Sequence, residues 1–152
     1  MGKCAFIFDL DGTLCDATPR YKKYLQGNND YDAFESHCDE DWEHFDVCLL
    51  LKALHNANFD ILFVTGRRES TRQKTLEWIA CHLGEDIAKS EHLFMRSPED
   101  GHRADYVTKV RNYRTFIQDK WSVMGVFEDR DQCVRAWRDL GLRCYQVQDG
   151  CY

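Results

Sequence analysis

The feature that most restricts this chain is an alternation of two hydrophobic periods. Short runs of apolar, β-forming residues occupy positions 4–8, 61–64, 93–95, 123–127 and 144–147. Stretches with the i, i+3, i+4, i+7 spacing of a helix lying on a sheet fall among them: Leu49, Leu50, Ala53 and Leu54; Leu76, Ile79, Ala80 and Leu83; Tyr106, Val110, Tyr113 and Ile117; Val134, Trp137 and Leu140. Gly84 and Gly141 stand just past two of these stripes, where helices end. Fully apolar strands separated by helices predict an α/β fold, a parallel sheet covered on both faces in three layers, with the ligand site at the C-terminal ends of the strands. Those ends are where the polar residues stand: Asp9 after the first run, Thr65 after the second, Glu128 and Asp129 after the fourth.

With 152 residues, 43% of them hydrophobic, the chain is long enough for one domain with a sizeable core, and a single domain over 1–152 is expected. No apolar run approaches the roughly 18 residues of a membrane span, and the opening residues lack the parts of a signal peptide. A cytoplasmic protein with no membrane association is therefore expected. The eight cysteines form no C-x-x-C pair, and several sit inside apolar stretches. They read as small buried hydrophobes rather than a disulfide framework.

The net charge of −6 comes from 20 basic and 26 acidic residues, and it is unevenly spread. No Lys or Arg lies between Lys23 and Lys52, whereas Asp30, Asp32, Glu35, Asp39, Glu40, Asp41, Glu43 and Asp46 do. Residues 16–46 show no clear strand or helix period and contain the turn sequence Gly27-Asn28-Asn29-Asp30, so they read as a small acidic insertion over the site. Its aromatics, Tyr21, Tyr24, Tyr31, Phe34, Trp42 and Phe45, are expected to form its own small core, with base stacking as the alternative. His37, Cys38, Asp39 and His44 have only loose spacing, and a solvated acidic loop is expected there rather than a zinc site. Acidic surface disfavours tight binding of long duplex nucleic acid.

The chemistry concentrates in FIFDLDGTL, Phe6 to Leu14, where two carboxylates follow a buried strand at a glycine-containing turn. A hydrophobic core has no use for such a pair. One carboxylate can attack phosphorus while the other, protonated, donates to the leaving oxygen and afterwards deprotonates water. Backbone N–H groups at the turn can receive phosphoryl oxygens. An anionic nucleophile approaches a phosphate only if cations offset the repulsion, and a set of hard oxygen donors suits Mg²⁺.

With D-x-D-G-T-L at 9–14, VTGR at 64–67, Lys109 on the third helical stripe and FEDRD at 127–131, the chain resembles the haloacid dehalogenase (HAD) superfamily of phosphohydrolases. The resemblance implies a three-layer Rossmann-like fold with a small cap inserted after the first strand, and a Mg²⁺-dependent phosphomonoesterase acting through an aspartyl-phosphate. It implies Asp9 as nucleophile, Asp11 as acid/base, Thr65 as a hydrogen-bond donor to the phosphoryl group and Lys109 as the neutralising cation. The metal site it implies comprises Asp9, the backbone carbonyl of Asp11 and an acid of the fourth motif, either Glu128 or Asp129, with Asp129 preferred.

A narrower resemblance rests on RES after VTG, on RADYVTKV and on EDRDQCVRAWRDLGLRCYQV. These stretches are similar to the phosphatase half of phage polynucleotide kinase-phosphatases, which removes 3′-phosphates from nucleic-acid ends. It implies that Arg20, Arg67 and Asp105 serve the phosphate and its supporting shell, and that 3′-phosphorylated ends or nucleotides are the substrates. The family's kinase half needs G-x-x-x-x-G-K-[ST], and no such phosphate loop occurs in these 152 residues. The alternatives are a small-metabolite or nucleotide phosphatase with the same machinery, and a non-catalytic partner module of a repair assembly. Protein partners are not legible.

Overall fold

The computed structural model describes residues 2–151. Strands β1 (Lys3–Phe8), β4 (Asp60–Arg68), β5 (Leu93–Arg96), β6 (Trp121–Glu128) and β7 (Cys144–Gln146) form one sheet in the order β5-β4-β1-β6-β7, every pairing parallel. Central β1 pairs Phe8 with Phe63 on one side and with Phe127 on the other. Successive side chains then enter opposite layers. Phe8, Ile61, Phe63 and Phe127 pack under α3 (Phe45–Asn56) and α4 (Arg72–Leu83), through Leu51, Trp78 and Ile79. Ala5, Ile7, Leu62, Val64 and Val126 pack against Ile117 and against Val134 and Trp137 of α6 (Asp131–Asp139). The α/β parallel sheet with helices on both faces is thus the observed one, and all five apolar runs are strands in it. Gly84 and Gly141 follow α4 and α6 at positive φ, as read. Among the described residues, no helix is long and apolar enough to cross a membrane.

Four expectations need correction. The segment after β1 is ordered: an antiparallel pair, β2 (Cys15–Asp16) with β3 (Trp42–Glu43), brackets helices α1 (Thr18–Tyr24) and α2 (Tyr31–Ser36). These elements are too short to show a period, and α2 starts where Asp30 accepts a hydrogen bond from Ala33 N at 3.0 Å. Four of the insertion's six aromatics are not its core, since Tyr21, Tyr31, Trp42 and Phe45 are all exposed, Trp42 by 78%, while Tyr24 and Phe34 are half-buried against His37 and Arg20. The phase read for α3 is also wrong. Val47, Cys48 and Leu51 face inward, while Leu49, Leu50 and Ala53 look outward.

The fourth correction concerns α5 (Asp105–Asn112), which buries Thr108, Lys109 and Asn112 and exposes Tyr106. Its inner face looks on the polar end of the sheet rather than on the core. A wider turn at Tyr113–Ile117 then shifts the phase and brings Ile117 inward. Five cysteines are buried, as expected for most of them, and among the described residues all eight are free thiols.

Candidate active site

Where β1 ends, Asp9 N donates to Phe127 O at 3.0 Å, fixing the first carboxylate between β1 and β6. The chain then folds back on itself. Leu10 O accepts from Thr13 N at 3.0 Å and Leu14 N at 2.8 Å, and Gly12 supplies the positive φ (85°) that the turn requires. Thr13 Oγ1 lies 3.4 Å from Asp9 Oδ2 and 3.2 Å from Asp129 Oδ1, joining the first motif to the end of β6.

Asp9, Glu128 and Asp129 are buried and offer carboxylate oxygens that all lie within 4.8 Å of one another. Lys109 enters this trio from α5, its Nζ 2.9 Å from Asp9 Oδ1, 2.7 Å from Glu128 Oε2 and 3.6 Å from Asp105 Oδ2. Burial followed by the charge of Glu128 pushes the Asp9 carboxyl well above the usual carboxylate range, although Lys109 pulls it down. Burial disfavours the Lys109 ammonium, but the surrounding carboxylates outweigh it and hold its pKa well above normal. Lys109 inside the cluster and Arg130 at its edge face four carboxylates, Asp105 included, so the cluster keeps an excess of negative charge. The donor set of hard, close, under-compensated oxygens fits a small divalent cation. Glu128 already has both oxygens in use, Oε2 by Lys109 and by Trp137 Nε1 at 3.4 Å, Oε1 by Asp129 N at 3.2 Å. Asp129 accepts from Thr13.

The Asp11 side chain belongs to a different cluster. Its Oδ1 receives Arg67 Nη2 at 2.7 Å and Arg20 Nη2 at 2.8 Å, with Cys15 Sγ 3.5 Å away. Burial opposes ionisation, yet the two guanidinium charges prevail and hold the Asp11 carboxyl well below its ordinary range. Arg20 arrives from α1 and is clamped by Asp41, whose oxygens accept from Nε at 3.0 Å and Nη2 at 2.7 Å, while Phe34 O takes Nη1 at 2.8 Å. The insertion is thereby tied to the acid/base candidate.

Thr65 is buried in β4 and accepts from Arg67 N at 3.2 Å. Between them, Gly66 leaves room for α5: a Cβ there would stand 1.8 Å from Asp105 Oδ1. Asp105 in turn receives Arg96 Nη2 at 3.2 Å and lies 3.6 Å from Arg130 Nη1. Asp105 therefore packs against the second motif and touches Lys109, standing behind the reacting groups.

All eight positions read as site residues, together with Glu128, converge at the C-terminal ends of β1, β4 and β6. The structure adds Thr13, Asp41 and Cys15, which the sequence reading passed over. Thr13 was visible within D-x-D-G-T-L. Nothing distinguishes Asp41 from the other acids of its run, yet it is buried while its neighbours Asp39 and Glu40 are exposed. His37, Cys38, Asp39 and His44 do not gather as metal-type donors among the described residues.

The segment after β7 closes the site from behind. Val147 N donates to Glu128 O at 3.0 Å, Gln148 Nε2 to Gly12 O at 2.7 Å, and Gly150 O accepts from Asp131 N at 2.7 Å.

Comparison with known proteins gives a consistent outcome. The family described as the polynucleotide kinase PNKP phosphatase domain matches residues 3–152. A candidate bifunctional polynucleotide kinase/RNA ligase of Autographa californica nuclear polyhedrosis virus is 35% identical over 139 residues, covering 91% of this chain and 18% of that protein. Among solved structures, a chain of the Pnkp1/Rnl/Hen1 RNA repair complex superposes with a TM-score of 0.80 at 29% identity, covering 99% of this chain and 44% of that one. A class C acid phosphatase from Bacillus anthracis, at 16% identity and a TM-score of 0.73, shares the fold. The chain spans less than a fifth of the viral relative and less than half of the repair-complex chain.

Proposed function

The chain belongs to the family of polynucleotide kinase phosphatase domains, a HAD-type phosphatase family, and on that premise we propose that it removes 3′-phosphates from nucleic-acid ends or nucleotides through an aspartyl-phosphate. The observation that carries the reading is the division of labour between the two carboxylates of the D-x-D motif: Asp9 faces Lys109 at 2.9 Å, whereas Asp11 faces Arg67 at 2.7 Å. The two carboxylates are set in separate clusters: Asp9 beside Lys109 and the metal-type oxygens of Glu128 and Asp129, Asp11 between the guanidinium groups of Arg67 and Arg20, which a phosphate can engage.

In the first step an oxygen of Asp9 bonds to phosphorus as the bond to the 3′-oxygen breaks, and the electron pair leaves with that oxygen. Lys109 and the Thr65 hydroxyl stabilise the charge on the transferring oxygens. Asp11 is held ionised in the structure. An arriving phosphate shares the charge of Arg67 and Arg20, so Asp11 can take up the proton that it passes to the leaving oxygen. In the second step ionised Asp11 removes a proton from water, which attacks phosphorus and releases Asp9. Asp9, Asp129 and the Asp11 carbonyl would hold Mg²⁺, with Glu128 anchoring Lys109 behind them. The ion, when bound, supplies the positive charge that lets the Asp9 carboxylate meet a phosphate dianion.

For the pathway, the relative in the Pnkp1/Rnl/Hen1 RNA repair complex and the viral relative named as a polynucleotide kinase/RNA ligase support a role in end healing, with a ligase acting on the hydroxyl end produced. The test is a turnover screen over 3′-phosphorylated oligonucleotides, nucleoside 3′- and 5′-monophosphates, sugar phosphates and p-nitrophenyl phosphate. Preference for 3′-phosphates of nucleotides or oligonucleotides is the expected outcome. Equal rates on sugar phosphates would replace the reading with a metabolite phosphatase, and no turnover of any of them with Mg²⁺ would leave only a non-catalytic module.

A further inference from the structure

We propose that Arg68 is a subsite for the phosphodiester next to the reacting phosphate, and that Asp32 and Glu35 of the acidic insertion occupy it as substrate-mimicking anions until a strand displaces them. The inference rests on the polynucleotide reading above and specifies how a nucleic-acid end is told from a small phosphate ester.

Arg68 ends β4, one residue beyond Arg67, and pairs in register with Arg96 of β5. Beside it runs a groove of about 320 Å³, lined among others by Arg68, Ser70, Ser97 and His102. Its lining offers the Arg68 guanidinium, the Ser70 hydroxyl and an exposed imidazole, the Ser97 hydroxyl being held by Asp100 and Arg111 at 3.0 and 2.9 Å. The one carboxylate in the lining, Glu69, is paired with Arg72. Arg96 also lines the groove but is committed elsewhere, donating to Gly66 O at 3.2 Å, Arg103 O at 2.8 Å and Asp105 Oδ1 at 3.2 Å. Arg68 has no such commitment to the groove wall. Its Nη1 lies 3.4 Å from Asp32 Oδ1 and its Nε 3.3 Å from Glu35 Oε1, both on α2 of the insertion.

The Asp32 pair is the one most readily exchanged. The Arg68 side chain is 37% exposed and that of Asp32 is 96% exposed, against 19% for Glu35, and exposed ion pairs are weak and screened by salt. A phosphodiester presents two non-bridging oxygens carrying one negative charge, which a guanidinium fork receives at least as well as two separate carboxylates. Arg68 neighbours Arg67, which grips the acid/base Asp11. Glu35, which Arg68 holds, feels the charges of Asp11 and Arg20, so an anion taking its place at Arg68 lies at the edge of the reaction centre. The acidity of the insertion, which looks unfavourable for a nucleic-acid enzyme, then acts as a selective cover. A sugar phosphate has no second anion to trade for Asp32 and Glu35, whereas a strand has one.

The experiment compares kcat/KM for a 3′-phosphorylated dinucleotide with that for the matching nucleoside 3′-monophosphate, each in ribose and deoxyribose form. The readout is the ratio of the two. Wild type is expected to favour the dinucleotide. Arg68→Ala and Arg68→Gln should each lower the ratio about tenfold, mainly through the dinucleotide KM, and the double variant Asp32→Asn/Glu35→Gln should raise it a few-fold. Added NaCl should shrink these differences. If both Arg68 variants keep the wild-type ratio, or if the double variant lowers it, the subsite is refuted while the 3′-phosphatase reading stands. If wild type turns over neither substrate, that reading falls and the subsite falls with it.

Discussion

Arg67 holds Asp11 as a fork, its Nε and Nη2 lying 3.1 and 2.7 Å from the same carboxylate oxygen. A carboxylate so held is a base by default, and it serves as an acid only when substrate competes for the guanidinium. Asp11→Asn removes both roles and should lower kcat on a 3′-phosphorylated nucleotide by about a hundredfold or more, the usual scale for losing a positioned acid/base. On p-nitrophenyl phosphate, whose leaving group needs no proton, the loss in the phosphorylation step should be much smaller. Pre-steady-state burst measurements on the two substrates distinguish the steps. Equal burst-rate losses on both would remove Asp11 from leaving-group protonation.

The trio of Asp9, Glu128 and Asp129 keeps an excess of negative charge over Lys109 and Arg130, so the site should cost stability until a cation arrives. Mg²⁺ should stabilise wild type in proportion to the logarithm of its concentration above Kd, by about 2.7 kcal/mol at a hundredfold excess, and raise its Tm accordingly. Asp129→Asn removes one of the repelling charges. Its Tm without metal should rise above that of wild type, and its response to Mg²⁺ should be lost or much reduced. Calorimetry with and without EDTA tests both, and a wild-type Tm indifferent to Mg²⁺ would exclude a resident metal.

His92 provides a pH prediction away from the chemistry. It is buried, its Nδ1 3.1 Å from Ile61 O, and burial holds its pKa below the ordinary histidine value, although Asp60 pulls upward. The unfolded chain then binds a proton that the native chain does not, so stability is lost as pH falls through the normal histidine range near 6.5. Between pH 7.5 and 5.5, His92→Gln should lose less stability than wild type in urea titrations. Parallel losses in the two proteins would disprove the assignment.

The corrected phase of α3 predicts unequal costs for neighbouring leucines. Leu51 is fully buried and Leu49 is 56% exposed. Leu51→Ala should destabilise by about 2–5 kcal/mol and Leu49→Ala by less than about 1 kcal/mol. A lower midpoint in chemical denaturation for Leu49→Ala than for Leu51→Ala would mean the stripe through Leu49 and Leu50 is right after all, and equal midpoints would refute the inward phase of Leu51.

The contrast between α3 and the strands shows what sequence patterning carries. β1 is apolar from Cys4 to Phe8, where both faces become covered, and its end is marked by Asp9, so the sheet and the seat of the nucleophile could be read directly. Helix α3 has leucines at 49, 50, 51 and 54, enough to write two stripes, and only tertiary packing selects the inner one. Helix α5 misleads for the opposite reason: its inner face is polar because it borders the site, which no hydrophobic period announces. Asp41 was hidden in a run of acids, since its buried partner Arg20 lies 21 positions earlier and the insertion's folding brings them together. Thr65, Arg67 and Lys109 were legible through motif resemblance, whereas their spatial grouping around two separate carboxylates was not.

The bond from Gln148 to Gly12 joins residues 136 positions apart, and it orders events in time. As this domain leaves the ribosome, β1 and its catalytic turn emerge before β6 and β7, but the turn gains the support of residues 147–150 only when these have been made and have docked behind β6. The sheet can assemble before then, with β7 as its final edge strand, while the loop bearing Asp9 and Asp11 still lacks its backing. Within this domain the site is therefore late to mature, and a nascent domain that has not yet docked residues 147–150 lacks the backing of its catalytic loop.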